Sequence, residues 1–295
     1  MAGPTEENLG AVADGRTRAP RRGRPGGTAW IGLCIIGSCL FFALLAPVLA
    51  PHPPATILTA QSYAPPDGTS WLGTDYLGRD VLSRLLYGAR LTIGLAFLST
   101  LLGFVVGTTL GFAAAELRGI PDTLIGRVVD IMISFPPILL ALVVIAGLGS
   151  SLTVLVCTIG LIHTSRVTRM ARAVALNISA TDFVEVARSR GEGLAYIVWR
   201  EILPNTIRPL ATEFGLRLTF SVLFISSLSF LGLGVQPPAA DWGGMVRENM
   251  SGLYYGAWAA LLPAAAIAVL TVGISFVVDW LAAQSGREMS SELLQ

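Results

Sequence analysis

The chain has 295 residues, of which 53% are hydrophobic and only 13% are charged, and its formal net charge is +1. Because a soluble domain carries roughly a quarter charged residues, much of this surface must face something other than water. The near-neutral charge gives no sign of a nucleic-acid partner. All 20 residues of the Lys+Arg count are arginines. Without lysine the chain cannot build a P-loop or a Schiff base, so any ATP hydrolysis must occur on a partner chain.

Six apolar segments are long enough to cross a bilayer, whose hydrocarbon core needs about 20 residues per helical crossing. They are predicted at 29–50, 91–115, 124–148, 152–170, 209–233 and 257–281. The sequence therefore predicts an all-α integral membrane protein with six transmembrane helices. Around them lie an N-terminal tail (1–28), a connecting segment (51–90) that leads into a core of spans (91–282), and a C-terminal tail (283–295).

The orientation of the spans follows from arginines, which resist translocation when they flank a span. The N-terminal tail is basic through Arg16, Arg18, Arg21, Arg22 and Arg24. We therefore expect the N-terminus, the polar loop at about 173–208 and the C-terminus to be cytoplasmic. Three arginines are inconsistent with this orientation because they fall on the outer side: Arg79, Arg84 and Arg90. The negative charges of Asp75 and Asp80 partly offset their positive charge. The first span is not predicted to be a cleaved signal, because it exceeds a signal's apolar core and no small-residue cleavage site follows it.

The second span contains Gly103, Gly107 and Gly111 at four-residue spacing. Glycines in this pattern form a groove that allows a second helix backbone to approach closely. Packing within the subunit is favoured over a subunit interface, which stays open. Prolines predict kinks or breaks in the third span, at Pro136 and Pro137, and in the sixth span, at Pro263.

Charged residues inside the predicted spans must be paired or must face water. Glu213 and Arg217 are four apart in the fifth span, so they share a helix face and can neutralise each other. A direct role of this pair along a transport pathway remains open. Arg127 and Asp130 in the third span are interpreted in the same way, with headgroup contact favoured because they are shallow. The cysteines and histidines lack metal-ligand spacing, so no metal site or catalytic site is predicted; they are Cys34, Cys39, Cys157, His52 and His163.

The loop between the fourth and fifth spans is too polar to cross the membrane, and its centre reads DFVEVARSRGEGLAYIVWREILPN. Apolar residues at near-helical spacing predict a short amphipathic helix there: Phe183, Ala187, Leu194 and Ile197. Gly191 and Gly193 are expected to interrupt this helix, and Gly191 to adopt positive φ or to press against a partner. Pro204 is expected to force Leu203 out of the helical region and to mark the entry to the fifth span. Either a partner groove or the lipid headgroups then cover the apolar face.

This loop resembles the EAA loop of bacterial ABC-importer permeases, whose pattern is Glu-Ala-Ala, three residues, Gly, nine residues, then Ile-x-Leu-Pro. The matching residues have the family spacing and are Glu185, Ala187, Gly191, Leu203 and Pro204, with Arg188 between them. Val186 replaces the second residue of the pattern, and Glu201 stands where isoleucine is usual.

Two further segments resemble the second permease subunit of the dipeptide, oligopeptide and nickel importers. They are LGTDYLGRDVLSRLLYGAR (72–90) and LSFLGLGVQPPAADWGGM (228–245). The sequence departs from this family at Ile225, where glutamate is frequent. It departs again near its end, where Phe276, Asp279 and Leu281 are kept but Ala282 and Ala283 replace an Arg-Asp pair.

The resemblance implies a type I ABC-importer permease fold with a cytoplasmic coupling helix, in a multi-pass subunit of the bacterial cell membrane. It implies four kinds of partner: a second homologous permease, two ATPase subunits or domains that carry ATP and Mg²⁺, an external substrate-binding protein that meets the outer loops, and membrane lipid. The subunit itself would have no catalytic residues and no cofactor. Peptides are the favoured substrate, and nickel, glutathione or another small solute remains an alternative.

Two other classes compete with this interpretation. A proton-coupled secondary transporter requires an ionisable coupling group at mid-bilayer depth, whereas the acidic residues here cluster toward span ends. A membrane-embedded enzyme requires a nucleophile–base or metal constellation within the spans, and none is spaced for it. Neither class has a reason to contain an EAA loop.

Overall fold

The computed structural model describes residues 26–292, with side chains as far as Gln284. The arginines of the N-terminal tail and the last three residues of the C-terminal tail lie outside the described residues. Within them, the regular elements are helices, and the only strand-like pairings are two isolated bridges. The helices are α1 (Gly27–Leu49), α2 (Val81–Leu117), α3 (Gly119–Ser134), α4 (Pro137–Leu148), α5 (Leu152–Ser179), α6 (Asp182–Ser189), α7 (Leu194–Tyr196), α8 (Leu203–Phe230), α9 (Trp242–Glu248) and α10 (Leu261–Glu292), with a 3₁₀ turn at Met250–Tyr255.

Four helical stretches of the described chain are long and apolar enough to cross a membrane: Gly27–Leu49, Val81–Leu117, Leu194–Phe230 and Leu261–Gln284. The bent pair α3 and α4 makes a fifth if it is counted as one span. The sequence predicts six. The remaining predicted span is a helix, α5, but it is less apolar because it carries His163, Arg166 and Arg169. Much of its polar surface is buried within the protein, since His163, Thr164 and Thr168 are at most 7% exposed.

The predicted interruption of the third span is confirmed. Helices α3 and α4 meet at an angle of 90°, with Phe135 and Pro136 extended between them and Pro137 in the first turn of α4. Proline is tolerated there because first-turn N–H groups have no partner within the helix. Pro263 also lies in a first turn, that of α10, so the predicted kink inside the sixth span falls at a helix start instead.

The glycine groove of α2 packs within the subunit, as predicted. A Cβ on Gly103 would lie 2.6 Å from Cβ of His163, one on Gly107 would lie 2.7 Å from Cβ of Val167, and one on Gly111 would lie 2.7 Å from Cβ of Ala171. All three neighbours are on α5. Helices α2 and α5 therefore touch almost backbone to backbone. This close contact holds the more polar helix α5 against α2.

The prediction that Pro204 forces Leu203 out of the helical region is wrong. Leu203 has helical φ and ψ of −57° and −46°, and the chain is helical from Leu194 to Phe230. A π-helical turn, Ile197–Ile202, immediately precedes the proline. A wider turn of this kind makes room for the proline ring and reassigns the carbonyl groups that lose a donor.

Candidate functional site

Helix α6 sits at the end of the bundle where α2 stops and α5 stops. Its Val184 and Ala187 are buried, and Val184 belongs to one apolar cluster with Ala115, Ala175 and Ile202. The predicted amphipathic helix is therefore present, but its buried face differs from the prediction, because Phe183 is 43% exposed and Leu194 is 45% exposed. An apolar face fixes α6 to α2, α5 and the start of the 194–230 helix.

Gly191 ends α6 through a specific backbone motif. Its φ is +78°, its N–H donates to the carbonyl of Arg188, and the N–H of Glu192 donates to the carbonyl of Ala187. These two hydrogen bonds define a Schellman motif, which requires a left-handed residue after the helix. The predicted positive φ of Gly191 is confirmed, and the requirement arises from the turn itself, since a Cβ there would meet nothing within 4 Å of this chain.

A polar contact that the sequence analysis missed also holds α6. Glu116, near the end of α2, is 3% exposed and forms an ion pair with Arg188 of α6, with 2.8 Å between Oε2 and Nη2. The hydroxyl of Ser179, the last residue of α5, donates to the same carboxylate. One buried carboxylate thus joins three helices. The signal in the sequence was an acidic residue at the end of an otherwise apolar span.

The described residues leave the outward side of α6 uncovered. Phe183 and Val186 are 43% and 48% exposed, and Glu185 between them is exposed and forms no ion pair with the described residues. We call these three residues the α6 outer face. Of the other motif residues, Leu203 is half-buried beside the cluster under α6, and Pro204 is exposed.

Helix α3 is joined to α5 by two ion pairs. Arg172 contacts Asp122 with Nη2 2.7 Å from Oδ2, and Arg169 contacts Asp130 with Nη2 2.5 Å from Oδ1. The alternative pairing of Arg127 with Asp130 is not formed, since Asp130 pairs with a residue of α5. The headgroup contact that was favoured for these two residues stays a prediction.

Helix α8 contains the predicted pair, with Nε of Arg217 2.9 Å from Oε1 of Glu213. One turn further along α8, Ser221 is fully buried and contacts His163 of α5 at 2.7 Å and Thr100 of α2 at 2.8 Å. The pairing of Glu213 with Arg217 is confirmed, and a role along a pathway stays a prediction.

The other end of the bundle is closed by a buried group of four charges. Arg79 contacts Asp75 at 2.7 Å and Glu248 at 3.0 Å, and Arg84 contacts the same two carboxylates at 3.3 and 2.9 Å. All four side chains are at most 9% exposed. Two arginines that argued against the predicted orientation are thus neutralised by acidic partners. Arg90 is exposed, and no ion pair joins it to another described residue.

The segments 72–90 and 228–245, singled out in the sequence, meet at this end. Asp80 caps α2 by accepting from the N–H of Ser83, and Trp242 of α9 donates from Nε1 to the carbonyl of Leu85. Asp241 caps α9 by accepting from the N–H of Gly244, and burial raises the pKa of its carboxyl. These two segments therefore form one packed unit around the start of α2.

A bundle of membrane-length helices with a folded unit at each end defines a polytopic membrane protein. Residues 107–291 match the family described as binding-protein-dependent transport system inner membrane component, and residues 27–66 match the N-terminal TM domain of oligopeptide transport permease C. The first match spans more than half of the chain. The protein therefore belongs to the family of inner-membrane permease components of binding-protein-dependent transport systems.

Several relatives extend over most of the chain. It is 32% identical to the dipeptide transport system permease protein DppC of Alkalihalophilus pseudofirmus, over 94% of this chain and 91% of that one. It is 36% identical to the glutathione transport system permease protein GsiD of Pectobacterium atrosepticum, over 73% and 72%. A chain of the MetNI methionine ABC transporter, in an inward-facing conformation, has the same fold with a TM-score of 0.56 and 22% identity, over 68% of this chain and 95% of that one.

Proposed function

We propose that this chain is one of the two permease subunits of an ATP-driven ABC importer for short peptides, and that α6 is its coupling helix. The observation that carries the proposal is the construction of α6: its inner face is fixed to α2 and α5, and its outer face is free. Exposed apolar side chains on a short protruding helix fit a groove on a partner. In this family of transport systems the partner would be an ATPase subunit.

The coupling follows from the rigidity of the attachment. Glu116 ties α6 to α2 and α5 at once, and the glycine contacts tie α2 to α5 along their length. A displacement of α6 by the ATPase dimer would therefore move α2 and α5 together as a rigid body, rather than bending α6 away. ATP acts on the pathway only through its different affinity for the two arrangements.

The same construction supports six crossings. Helix α5 begins at Leu152, close to the end of α4, and finishes beside α6, so it runs through the depth of the bundle. Its polar residues are shielded by α2 and α8, which explains how a helix of modest apolarity is accommodated within a membrane. With α6 at the cytoplasmic side, both termini are cytoplasmic and the cluster of Asp75, Arg79, Arg84 and Glu248 is external.

We propose that the residues around the start of α2, 51–90 and 228–256, lie outside the membrane and dock the external binding protein. We call them the outer unit. It carries exposed aromatic side chains, with Tyr254 92% exposed and Trp71 68% exposed, on segments that the buried ion cluster holds in place. A prepositioned surface costs little ordering entropy on docking. The second permease subunit would cover part of the remaining surface of the bundle.

Short peptides are the substrate class that the relatives favour, since their names specify dipeptides or glutathione. Glutathione is itself a small peptide, so one pathway could serve both.

The test is uptake into proteoliposomes that contain the complete complex of permeases, ATPases and binding protein. We expect uptake of a dipeptide or of glutathione that requires internal ATP and the binding protein. Uptake driven by a proton gradient without ATP would contradict the proposal.

A further inference from the structure

One arginine inside the membrane-spanning part of the protein lacks a counter-charge. Arg166 lies midway along α5 and is half-buried. No carboxylate of the described residues forms an ion pair with it, whereas Arg169 and Arg172 on the same helix each have an aspartate. A charge at this depth is costly unless it meets water or an opposite charge.

The surroundings of Arg166 are arranged around its guanidinium group. Its Cζ lies 5.6 Å from the ring centroid of Phe220 on α8. The same ring makes an edge contact with His163, at 5.5 Å between centroids, and stacks on Phe224. An aromatic face lowers the cost of removing a guanidinium from water but leaves its N–H donors unused. Phe220 therefore contacts the guanidinium group of Arg166 but accepts no hydrogen bond from its N–H groups.

The other charges of this region are already committed. Arg217, three residues before Phe220, is paired with Glu213. Arg166, Arg217 and Glu213 together leave one positive charge in excess. A small cleft beside Arg166 is bordered by Phe135 and Pro137 at the break between α3 and α4 and by Ser165 of α5, and none of the residues that line it is acidic. The described part of the chain therefore supplies no anion to Arg166.

We propose that Arg166 binds the carboxylate of the solute in the translocation pathway and makes the importer selective for solutes with a free carboxylate. This rests on the proposed function. A guanidinium group matches a carboxylate with two parallel hydrogen bonds, and the broken span beside it provides an irregular surface of the kind that borders aqueous cavities in membranes. Arg166 is a specificity-determining residue, and it takes no part in ATP coupling.

The experiment uses the complete complex in proteoliposomes and compares a dipeptide with its C-terminal amide, each at a concentration that saturates the binding protein. The variants are Arg166→Gln and Arg166→Lys, with Arg169→Gln as the matched control one turn away. Because Arg166→Gln removes the charge-assisted contact to the carboxylate, we expect this variant to slow dipeptide uptake about tenfold or more. Amide uptake should be unchanged, Arg166→Lys should retain part of the dipeptide rate, and Arg169→Gln should keep the acid-to-amide ratio.

Three results would overturn the inference. They are an equal loss for acid and amide in Arg166→Gln, an unchanged acid-to-amide ratio, and loss of the second permease from the purified variant complex, which would assign the counter-charge to that subunit. If the wild-type complex imports no amide, the two Arg166 variants decide: equal loss in Gln and Lys contradicts a charge contact. Failure of the proposed function is distinguishable, because the wild-type complex would then import neither compound with ATP.

Discussion

Glu116 and Arg188 are 72 positions apart in the sequence and form an ion pair in which Nη2 lies 2.8 Å from Oε2. The contact joins the end of a membrane-spanning helix to the short helix α6. Because Ser179 of α5 contacts the same carboxylate, α6 is attached to both α2 and α5. The proposed coupling depends on this attachment, so removal of the ion pair is expected to impair it.

Glu116→Gln should uncouple ATP hydrolysis from transport while the spans stay folded. The amide keeps the shape of the side chain but loses the charge that Arg188 pairs with, at a local cost of about 1–3 kcal/mol. We expect binding-protein stimulation of the ATPase to fall several-fold in the reconstituted complex. Glu192→Gln, also in the polar loop, is the control and should leave stimulation unchanged. Equal stimulation in all three proteins would contradict the coupling role.

Gly191→Ala should weaken α6, and Gly193→Ala should not. Neither Cβ would meet anything within 4 Å, but φ is +78° at Gly191 and −75° at Gly193. A left-handed conformation costs an L-residue with a Cβ roughly 1–2 kcal/mol. Uptake by the complete complex should therefore drop for the first variant only, with the same thermal unfolding of the spans in both. A bulky residue at 191 that transports normally would be the contrary result.

Gly107→Val should disrupt the α2–α5 contact. Even its Cβ would lie 2.7 Å from Cβ of Val167 and 2.9 Å from the carbonyl oxygen of Thr164, so the helices must separate, at a cost of about 1–3 kcal/mol or more. Gly94→Ala, on the same helix with open space around its Cβ, should be neutral or stabilising by up to about 1 kcal/mol. The midpoint of thermal unfolding in detergent measures both. A tolerated valine would show that α2 and α5 are not in close contact.

Glu248→Gln should destabilise the outer unit. Its Oε2 contacts both Arg79 and Arg84, and removing one partner from a buried ion cluster typically costs about 3–5 kcal/mol because charges stay buried without compensation. Thermal unfolding should occur at a lower temperature, and binding-protein docking should weaken. Arg90→Gln changes an exposed charge on the same side of the protein and should have little effect. If both variants behave alike, the cluster is not structural.

Features set by nearby residues were predictable from the sequence. The glycine spacing of α2 identified a packing groove, the proline pair identified the break after α3, and the spacing of Glu213 and Arg217 identified an ion pair. The left-handed turn at Gly191 followed from its place after a short helix. Each of these depends on backbone geometry or on residues within one or two helical turns.

Features set by packing between distant segments were not predictable. Asp130 has an arginine on its own helix and another on α5, and only the crossing of the helices decides between them. In the sequence, Arg79 and Arg84 are inconsistent with the predicted orientation, and only the fold shows that Glu248 lies beside them and pairs with both. Likewise, Pro204 was expected to force Leu203 out of the helical region, but a π-helical turn before the proline keeps the chain helical. The burial of the polar side chains of α5 against α2 and α8 was likewise not predictable, because it depends on how these helices pack.

Cross-linking from the α6 outer face to the ATPase subunit decides whether α6 is the coupling helix. A photo-reactive residue at position 186, where Val186 is 48% exposed, would be compared with one at position 254 on the opposite end of the protein. We expect a product between this chain and the ATPase from position 186 only, with a yield that depends on ATP. A product with the binding protein from position 186, or an ATPase product from position 254, would contradict it.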